Sequence, residues 1–359
     1  MKKATKIKRI VLLILCGCLL LASAACFLIE GKLTRLLPSQ FAAERWQGEG
    51  ETDFAQLTCF LAVDEPLSLN EIYTFRYAIL DKLHEAGYEA DTDTRLFRDA
   101  WYAAGKLSVT SELGRAEAYT MAVGGNFFEF HPLRLLGGNY IAESDLMKDR
   151  VLLDEDLAWQ LFGGTDLQGM PIKINGVPFV VAGVVQREQD FASRRAYTSG
   201  MQMFMSYEAY TRLKEDAGAV CYELVMAEPV EGFVSGFAEE KFPIGQGEIL
   251  VNSGRFSFGR VLSLVGDFGS RSMQTHGVIY PYWENAARCV EDWCALLLFL
   301  GLLFLAFPAI LGAILLFRLL KRGKKKLTED LLPGVKEKAE EAVRKQQRKH
   351  WEKKHKDEK

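Results

Sequence analysis

Histidine is scarce in this 359-residue chain, which has five. His84, His131 and His276 lie far apart, and no H-E-x-x-H pair occurs, so a histidine-based metal site is not expected. No segment matches G-x-x-x-x-G-K-[ST], since "AAGKLS" (103–108) lacks the leading glycine, and G-x-S-x-G is also missing. We therefore expect no enzyme, no cofactor, and no ATP hydrolysis by this chain itself.

Cysteines are also few outside the apolar segments. Four of the seven lie in or beside long apolar runs: Cys16, Cys18, Cys26 and Cys294. Of the remaining three, Cys59 and Cys221 each fall in a strand-like segment, so they can form a disulfide if the two strands are neighbours. The alternative, which we favour, is that both are buried free thiols.

Charge is unevenly distributed, although the net charge is only −3. The first nine residues hold five Lys/Arg and no acid, and residues 318–359 hold 16 basic and 8 acidic residues. The remainder has 23 basic and 39 acidic residues, which disfavours nucleic-acid binding. Basic ends and an acidic middle suggest that a membrane separates them.

Two uncharged runs are long enough to cross a bilayer. Ile10–Ile29 has 20 residues and Trp293–Phe317 has 25, and about 20 apolar residues span a ~30 Å hydrocarbon core. Basic residues flank the outer ends of both runs, which places both termini in the cytoplasm and residues 30–292 outside. We expect an interfacial aromatic belt at the second run, formed by Tyr280, Tyr282, Trp283 and Trp293.

The first run has an alternative interpretation. A basic start, an apolar stretch and "ASA" (22–24) are also typical of a cleaved secretory signal. The apolar run continues to a full bilayer thickness at Ile29, which favours a retained helix. Under either interpretation, the middle of the chain is exported.

The exported part combines helical and strand patterns. The exported part is predicted to start with a β-α-β-β arrangement. A strand-like run lies at 54–63, a capping box at "SLNE" (68–71) begins a helix, and two strands about a turn lie at 106–123. The fold class predicted is therefore an α+β extracytoplasmic domain held between two transmembrane α-helices. Within it, a small mainly-β lobe is expected at about 126–215.

The β-rich lobe contains the most distinctive segment of the chain. "RVLLD" (150–154) is predicted to form a strand. Asp154 is predicted to be the N-cap of a helix that ends at Gly163-Gly164. Two strands then flank Asn175-Gly176, the strongest short hairpin signal. Ser206 is a candidate cap for a helix through Leu213. Aromatic residues in "MQMFMSYEAY" (201–210) either line an apolar groove for lipid or peptide or pack in the core.

Three stretches resemble the periplasmic core domain of MacB-type, FtsX-like ABC transporter permeases. They are "NFFEFHPLRLLGGNYIAESD" (126–145), "RVLLDEDLAWQLFGG" (150–164) and "LQGMPIKINGVPFVVAGVV" (167–185). The matching positions are turn glycines, apolar core residues and an acidic residue: Leu136, Gly138, Tyr140, Asp145, Ala158, Phe162, Gly163, Gly169, Ile172, Gly176, Phe179, Val181, Gly183 and Val184.

The resemblance implies a two-lobed exported domain, one lobe porter-like α+β and the other small and mostly β. It also implies a cytoplasmic ABC ATPase as partner, and a role in export or cell-envelope mechanotransmission. Such permeases have four transmembrane helices, whereas this sequence stops after the second, so we expect a partner permease subunit or self-association to supply the rest. A permease fragment without transport function is a further alternative.

The segments expected along the chain are a basic cytoplasmic tail (1–9), a transmembrane helix (10–29), the exported MacB-like domain (30–292), a second transmembrane helix (293–317) and a basic, charged cytoplasmic tail (318–359). The function expected is a non-catalytic, permease-type subunit in the cytoplasmic membrane. The alternative is a stand-alone envelope sensor or scaffold that binds a ligand outside and reports through its basic tail.

Overall fold

The computed structural model describes residues 2–48, 50, 52–88, 96–197, 200–214, 217–269, 271, 273, 278–326 and 332–354. The chain divides into two compact units: Ile29–Leu298, and Met1–Leu28 together with Phe299–Lys359. The helices are α1 (Lys2–Leu33), α2 (Ala42–Gln47), α3 (Leu69–Glu85), α4 (Phe127–Phe130), α5 (Glu155–Phe162), α6 (Phe191–Ala196), α7 (Tyr207–Leu213), α8 (Phe233–Lys241), α9 (Phe258–Ser263), α10 (Tyr282–Lys326) and α11 (Leu332–Lys354), with 3₁₀ turns at Pro38–Phe41 and Leu264–Asp267.

The unit Ile29–Leu298 is built on a mixed ten-stranded sheet. Its strands are β1 (Phe54–Phe60), β2 (Phe97–Thr110), β3 (Arg115–Gly125), β4 (Arg134–Gly138), β5 (Arg150–Asp154), β6 (Pro171–Ile174), β7 (Val177–Gln186), β8 (Gln202–Ser206), β9 (Cys221–Ala227) and β10 (Glu248–Val251). They lie in the order β10-β1-β9-β2-β3-β8-β5-β7-β4, with parallel pairing at β3–β8 and β5–β7. The predicted α+β fold and its β-α-β-β start are confirmed.

The predicted β-rich lobe shares strands with the rest of the domain. Strand β6 pairs antiparallel with both β2 and β7. It therefore closes a ring of six strands, β2-β3-β8-β5-β7-β6, in which β2 and β3 come from outside 126–215. Closure satisfies strand edges that would otherwise remain unpaired. Because β2 has 14 residues, it also pairs with β9 and belongs to both parts of the sheet.

The hairpin and caps follow from local sequence. Asn175 (φ 48°) and Gly176 (φ 84°) take the positive φ angles that a two-residue hairpin turn between β6 and β7 requires. At α5, the Asp154 carboxylate accepts the amide of Leu157 at 2.8 Å and so caps the helix. Ser206 precedes α7 but makes no side-chain cap hydrogen bond.

Cys59 and Cys221 are free thiols, the alternative that the sequence favoured over a disulfide. Strands β1 and β9 are neighbours, but the register pairs Cys59 with Tyr222 and Phe60 with Cys221. Directly opposed residues share a face and successive residues alternate, so the two thiols lie on opposite faces of the sheet. Both are buried and free, and burial raises the pKa of each thiol.

The two faces of the sheet differ in polarity. One face packs on α3 and α8 through a mainly apolar core that includes Leu57, Phe75 and Leu224, with Asp99 as a buried charge bonded to Arg76 and Tyr222. The opposite face buries polar side chains instead, with Gln56 fully buried, Thr58 at 1% exposure and Glu223 at 2%. Buried polar groups need hydrogen-bond partners, so the elements that cover this second face must supply them.

The other unit contains most of the apolar length of α1 and α10. Lys6–Leu33 and Tyr282–Lys324 are long enough and apolar enough to cross a membrane. Within this unit the two helices pack closely, because the Ser23 hydroxyl donates to the carbonyl of Gly301 at 2.9 Å. A Cβ at Gly301 would lie 3.0 Å from the Phe27 ring, so glycine permits the approach.

We expect Ser68→Ala to cost about 1 kcal/mol of stability at neutral pH, because Ser68 forms a reciprocal capping box with Glu71 at the start of α3. The hydrogen bonds from Ser68 lower the pKa of Glu71 below its ordinary 4.5. That part of the stabilisation is present above the ordinary pKa and is lost as the pH falls through the lowered one. Urea titrations should therefore show a larger difference between wild type and variant at pH 7 than at about pH 3. An equal difference at both would contradict the role of Glu71.

Candidate functional site

The start of α10 carries charged residues in buried positions. Glu284 is fully buried, and Arg288, Glu291 and Asp292 are 4–6% exposed. Such residues are almost never buried unless they are paired. Together with Arg255, Asn252 and Gln40 they form what we call the polar layer, which covers part of the polar face of the sheet.

Arg255 is the centre of the polar layer. Its guanidinium donates two parallel hydrogen bonds to Glu284, at 2.7 and 2.8 Å, and one from Nε to Glu291 at 2.6 Å. Nη1 also donates to the side-chain oxygen of Gln40 at 2.9 Å. Arg288 adds a second guanidinium on Glu284, at 2.7 Å and i,i+4 spacing. Planar fork geometry makes arginine the residue suited to this bidentate pairing.

The polar layer is connected to the sheet by neutral hydrogen bonds. The Thr58 hydroxyl of β1 donates to the Asn252 side chain at 2.9 Å, and Asn252 donates to Gln40 at 2.9 Å. The Gln56 amide, also on β1, donates to the carbonyl of Ser39 at 2.8 Å. The 3₁₀ turn Pro38–Phe41, strand β1 and the first turns of α10 are therefore joined in one network.

Aromatic rings extend this contact toward β9. His131 Nε2 lies 2.5 Å from the Glu223 carboxylate, and both side chains are buried. The imidazole is held between Trp283 and Phe127, at centroid distances of 4.2 and 4.6 Å. His131 is thus a packed core residue, whereas His84 is exposed on α3 and His276 lies outside the described residues.

The predicted aromatic belt is wrong for three of its four members. Tyr280, Tyr282 and Trp283 are only 8%, 7% and 2% exposed, because they pack beneath the sheet. Tyr282 stacks on Tyr197 at 4.1 Å and both hydroxyls donate to Glu188, whose pKa is raised by burial. Trp293 alone is exposed, at 40%. The sequence placed these rings beside an apolar run, but did not show that the sheet would cover them.

A second candidate site is an open cleft of about 810 Å³, which we call the aromatic cleft. Its walls include Tyr73, Trp101, Phe128, Tyr140 and Tyr207. From the 201–210 segment it contains Ser206, Tyr207 and Glu208, whereas Phe204 and Tyr210 are buried, so most of that segment packs in the core, the second of the two alternatives. Concave, aromatic surfaces of this size are the usual form of ligand sites.

The floor of the aromatic cleft is rigidly organised. Arg76 lies over the Trp101 ring at 4.6 Å and forms a fork on Asp99 at 2.7 and 2.8 Å. The Tyr222 hydroxyl donates to the same carboxylate at 2.8 Å. A Cβ on Gly124 would lie 2.5 Å from the indole nitrogen, so glycine lets the ring lie flat on β3. The cleft can bind a ligand by stacking and by its charged rim, but no nucleophile–base pair is assembled among these residues.

Metal binding is not indicated in the residues that the structure describes, where no group of three His, Cys, Asp or Glu side chains could hold an ion. The buried network around Arg255 was not found from the sequence. The one signal for it was the i,i+4 spacing of Glu284 and Arg288 directly before an apolar run, a pattern that also suits a solvated helix face.

The sequence pattern that defines the MacB-like periplasmic core domain matches residues 82–227. No curated protein matches the chain. Among solved structures, the chain is similar to the extracellular domain of the noncanonic ABC-type transporter YknZ from Gram-positive bacteria, with 13% identity and a TM-score of 0.39, covering 55% of this chain and 99% of that one.

It is also similar to the periplasmic region of MacB from Actinobacillus actinomycetemcomitans, with 14% identity and a TM-score of 0.40, covering 55% of this chain and 89% of that one. The matched segment contains the whole 126–185 stretch that resembles this domain. Between its two apolar helices, this chain carries a MacB-like periplasmic core domain.

Proposed function

We propose that the chain is a membrane-anchored, non-catalytic subunit that works with a cytoplasmic ABC ATPase in export or cell-envelope mechanotransmission. The observation that carries this proposal is the MacB-like match over residues 82–227, flanked by two helices that are long and apolar enough to cross a membrane. The remaining permease helices would come from a partner chain or from a second copy. In this proposal residues 30–292 are extracytoplasmic, and residues 1–9 and 318–359 are cytoplasmic.

The polar layer supports a mechanical role for the exported domain. Arg255 and Asn252 join strand β1 to the first turns of α10 through buried hydrogen bonds. Buried hydrogen bonds to charged groups stiffen the elements that they join, so a displacement of those turns would be passed to the sheet. Force transmission needs this kind of stiff connection and needs no catalytic group, since the ATPase would supply the energy.

Purification of the tagged full chain from its native membrane tests the partnership. We expect recovery of a protein with a G-x-x-x-x-G-K-[ST] motif and of further permease helices, in fixed ratio to the bait. The matched control is the same bait with Arg212→Ala, a change at an exposed position that should leave recovery unchanged. Recovery of a homo-oligomer without an ATPase would contradict the proposal.

A stand-alone envelope sensor is the second candidate, and the aromatic cleft favours it. In that case a ligand bound outside would be reported through the basic tail. Deleting residues 318–359 should then abolish the response while leaving the exported domain folded. Under the first proposal, the ATPase should still be recovered with the chain that lacks residues 318–359, because that chain keeps both apolar helices. A reporter fused near Gly200 tests the topology common to both, and access only from the cytoplasm would rule out both.

A further inference from the structure

The segment between β10 and α10 presents apolar side chains to solvent. Phe258, Leu262 and Phe268, which we call the interfacial set, are 58%, 38% and 50% exposed. Val261, between the first two, is fully buried and holds α9 against the domain. Phe258 and Leu262 have i,i+4 spacing and so share the outward face of α9. Large apolar side chains exposed together mark an interaction surface.

The interfacial set leads directly into a stretch that is tied to α10 near the start of its apolar run. The amide of Gly269 donates to the Asp292 carboxylate at 2.9 Å, and Arg271 pairs with Glu291 at 2.8 Å. The Met273 amide donates to the Asn285 side chain at 2.7 Å. The residue after Asp292 is Trp293, the first of the 25-residue uncharged run. At about 1.5 Å per residue, all three anchors lie within about 12 Å of that point along the helix.

Aromatic residues normally mark the membrane–water boundary, but Tyr280, Tyr282 and Trp283 are buried under the sheet. Phe268, which is half exposed and directly precedes the Gly269 anchor on Asp292, and the exposed Trp293 can take that role. Arg260 donates to the carbonyls of Val251 and Ser253 at 3.0 and 3.3 Å, so its cation is held on the same short helix as Phe258 and Leu262. A cation at the edge of an apolar face suits the phosphate layer.

We propose that Phe258, Leu262 and Phe268 insert into the boundary between headgroups and acyl chains of a phospholipid leaflet close to the start of the apolar run of α10. This inference rests on the proposed membrane crossing by α10. It adds a lipid-binding surface to the exported domain, separate from the aromatic cleft. Continuity with the apolar run favours lipid over a second copy of the chain.

Photo-crosslinking of the full chain tests this surface. Benzoylphenylalanine replaces Phe258 or Phe268 in chains reconstituted into phosphatidylcholine–phosphatidylglycerol nanodiscs, and lipid adducts are counted by mass spectrometry. Phe307, within the apolar run, is the lipid-facing control, and Tyr77, 70% exposed on α3, is the solvent control. The probe is a phenylalanine analogue at exposed sites, and Leu262, 38% exposed, offers a further position if one variant fails to fold.

We expect lipid adducts at positions 258 and 268 to exceed those at 77 by at least about tenfold and to approach those at 307. Adduct yields equal to those at position 77 would overturn the inference. Crosslinks from 258 or 268 to protein instead of lipid would also overturn it, and would identify the surface as an interface between chains. If position 307 gives no lipid adducts, the proposed membrane crossing by α10 is wrong. The control at 307 therefore distinguishes a wrong membrane crossing from a wrong lipid-binding surface.

Discussion

Replacing Arg255 with alanine should lower the free energy of unfolding of the exported domain by about 3–5 kcal/mol. The substitution leaves the fully buried Glu284 and the 4% exposed Glu291 without the guanidinium between them. Removal of one member of a buried pair costs more than the pair contributes, because the remaining charge stays desolvated. Urea unfolding of the full chain in nanodiscs, followed by tryptophan fluorescence, gives the measurement.

Two further variants make the result specific. Arg255→Lys keeps the charge but loses the fork on Glu284, so it should recover only part of the stability. Arg212→Ala removes an exposed arginine that lies 3.9 Å from Glu208, and should cost less than about 1 kcal/mol. If Arg255→Ala were as mild as Arg212→Ala, the polar layer would not hold α10 to the sheet.

Gly138→Ala should cost roughly 3 kcal/mol or more, because two separate effects add. Gly138 has φ +80°, a region that residues with a Cβ avoid, and its register partner in β7 is Gly183. A Cβ there would collide with the carbonyl oxygen of Ala182 and lie 2.5 Å from the Cα of Gly183. Both glycines are among the positions that carried the family resemblance. The expected result is loss of β4–β7 pairing, measured as a lower unfolding midpoint and faster amide exchange in β4.

Gly163→Ala is the matched control for Gly138. Gly163 also has positive φ, at +75°, where it ends α5, but a Cβ there would meet open space. Only the conformational cost of about 1 kcal/mol should remain. Equal costs for the two substitutions would show that close backbone approach between β4 and β7 contributes nothing.

Elements set by neighbouring residues could be predicted from the sequence. The capping box at Ser68, the N-cap at Asp154 and the hairpin at Asn175-Gly176 each depend on a few consecutive positions, and all three are confirmed. The two apolar runs depend only on composition and length, and both fall in helices. The 126–185 stretch was distinctive enough to identify the domain, because its glycines have fixed spacings.

Features that depend on distant residues could not be predicted in the same way. Closure of the ring by β6 joins Ile174 to Val109 on β2, and no periodicity in either segment specifies that partner. Burial of Trp283 depends on His131 and on the polar face of β9, which lie far away in sequence. The sequence left a Cys59–Cys221 disulfide open for a related reason: the strands are neighbours, but their register decides which face each thiol occupies.

Strand β1 sits between β9 and β10, so its partners are made long after it during synthesis. In the proposed topology, residues 30–292 cross the membrane in chain order, so β1 stays unpaired while most of the domain emerges, with both of its edges available for wrong partners. The sheet can then be completed only near the end of translocation. That order delays folding until the domain has crossed.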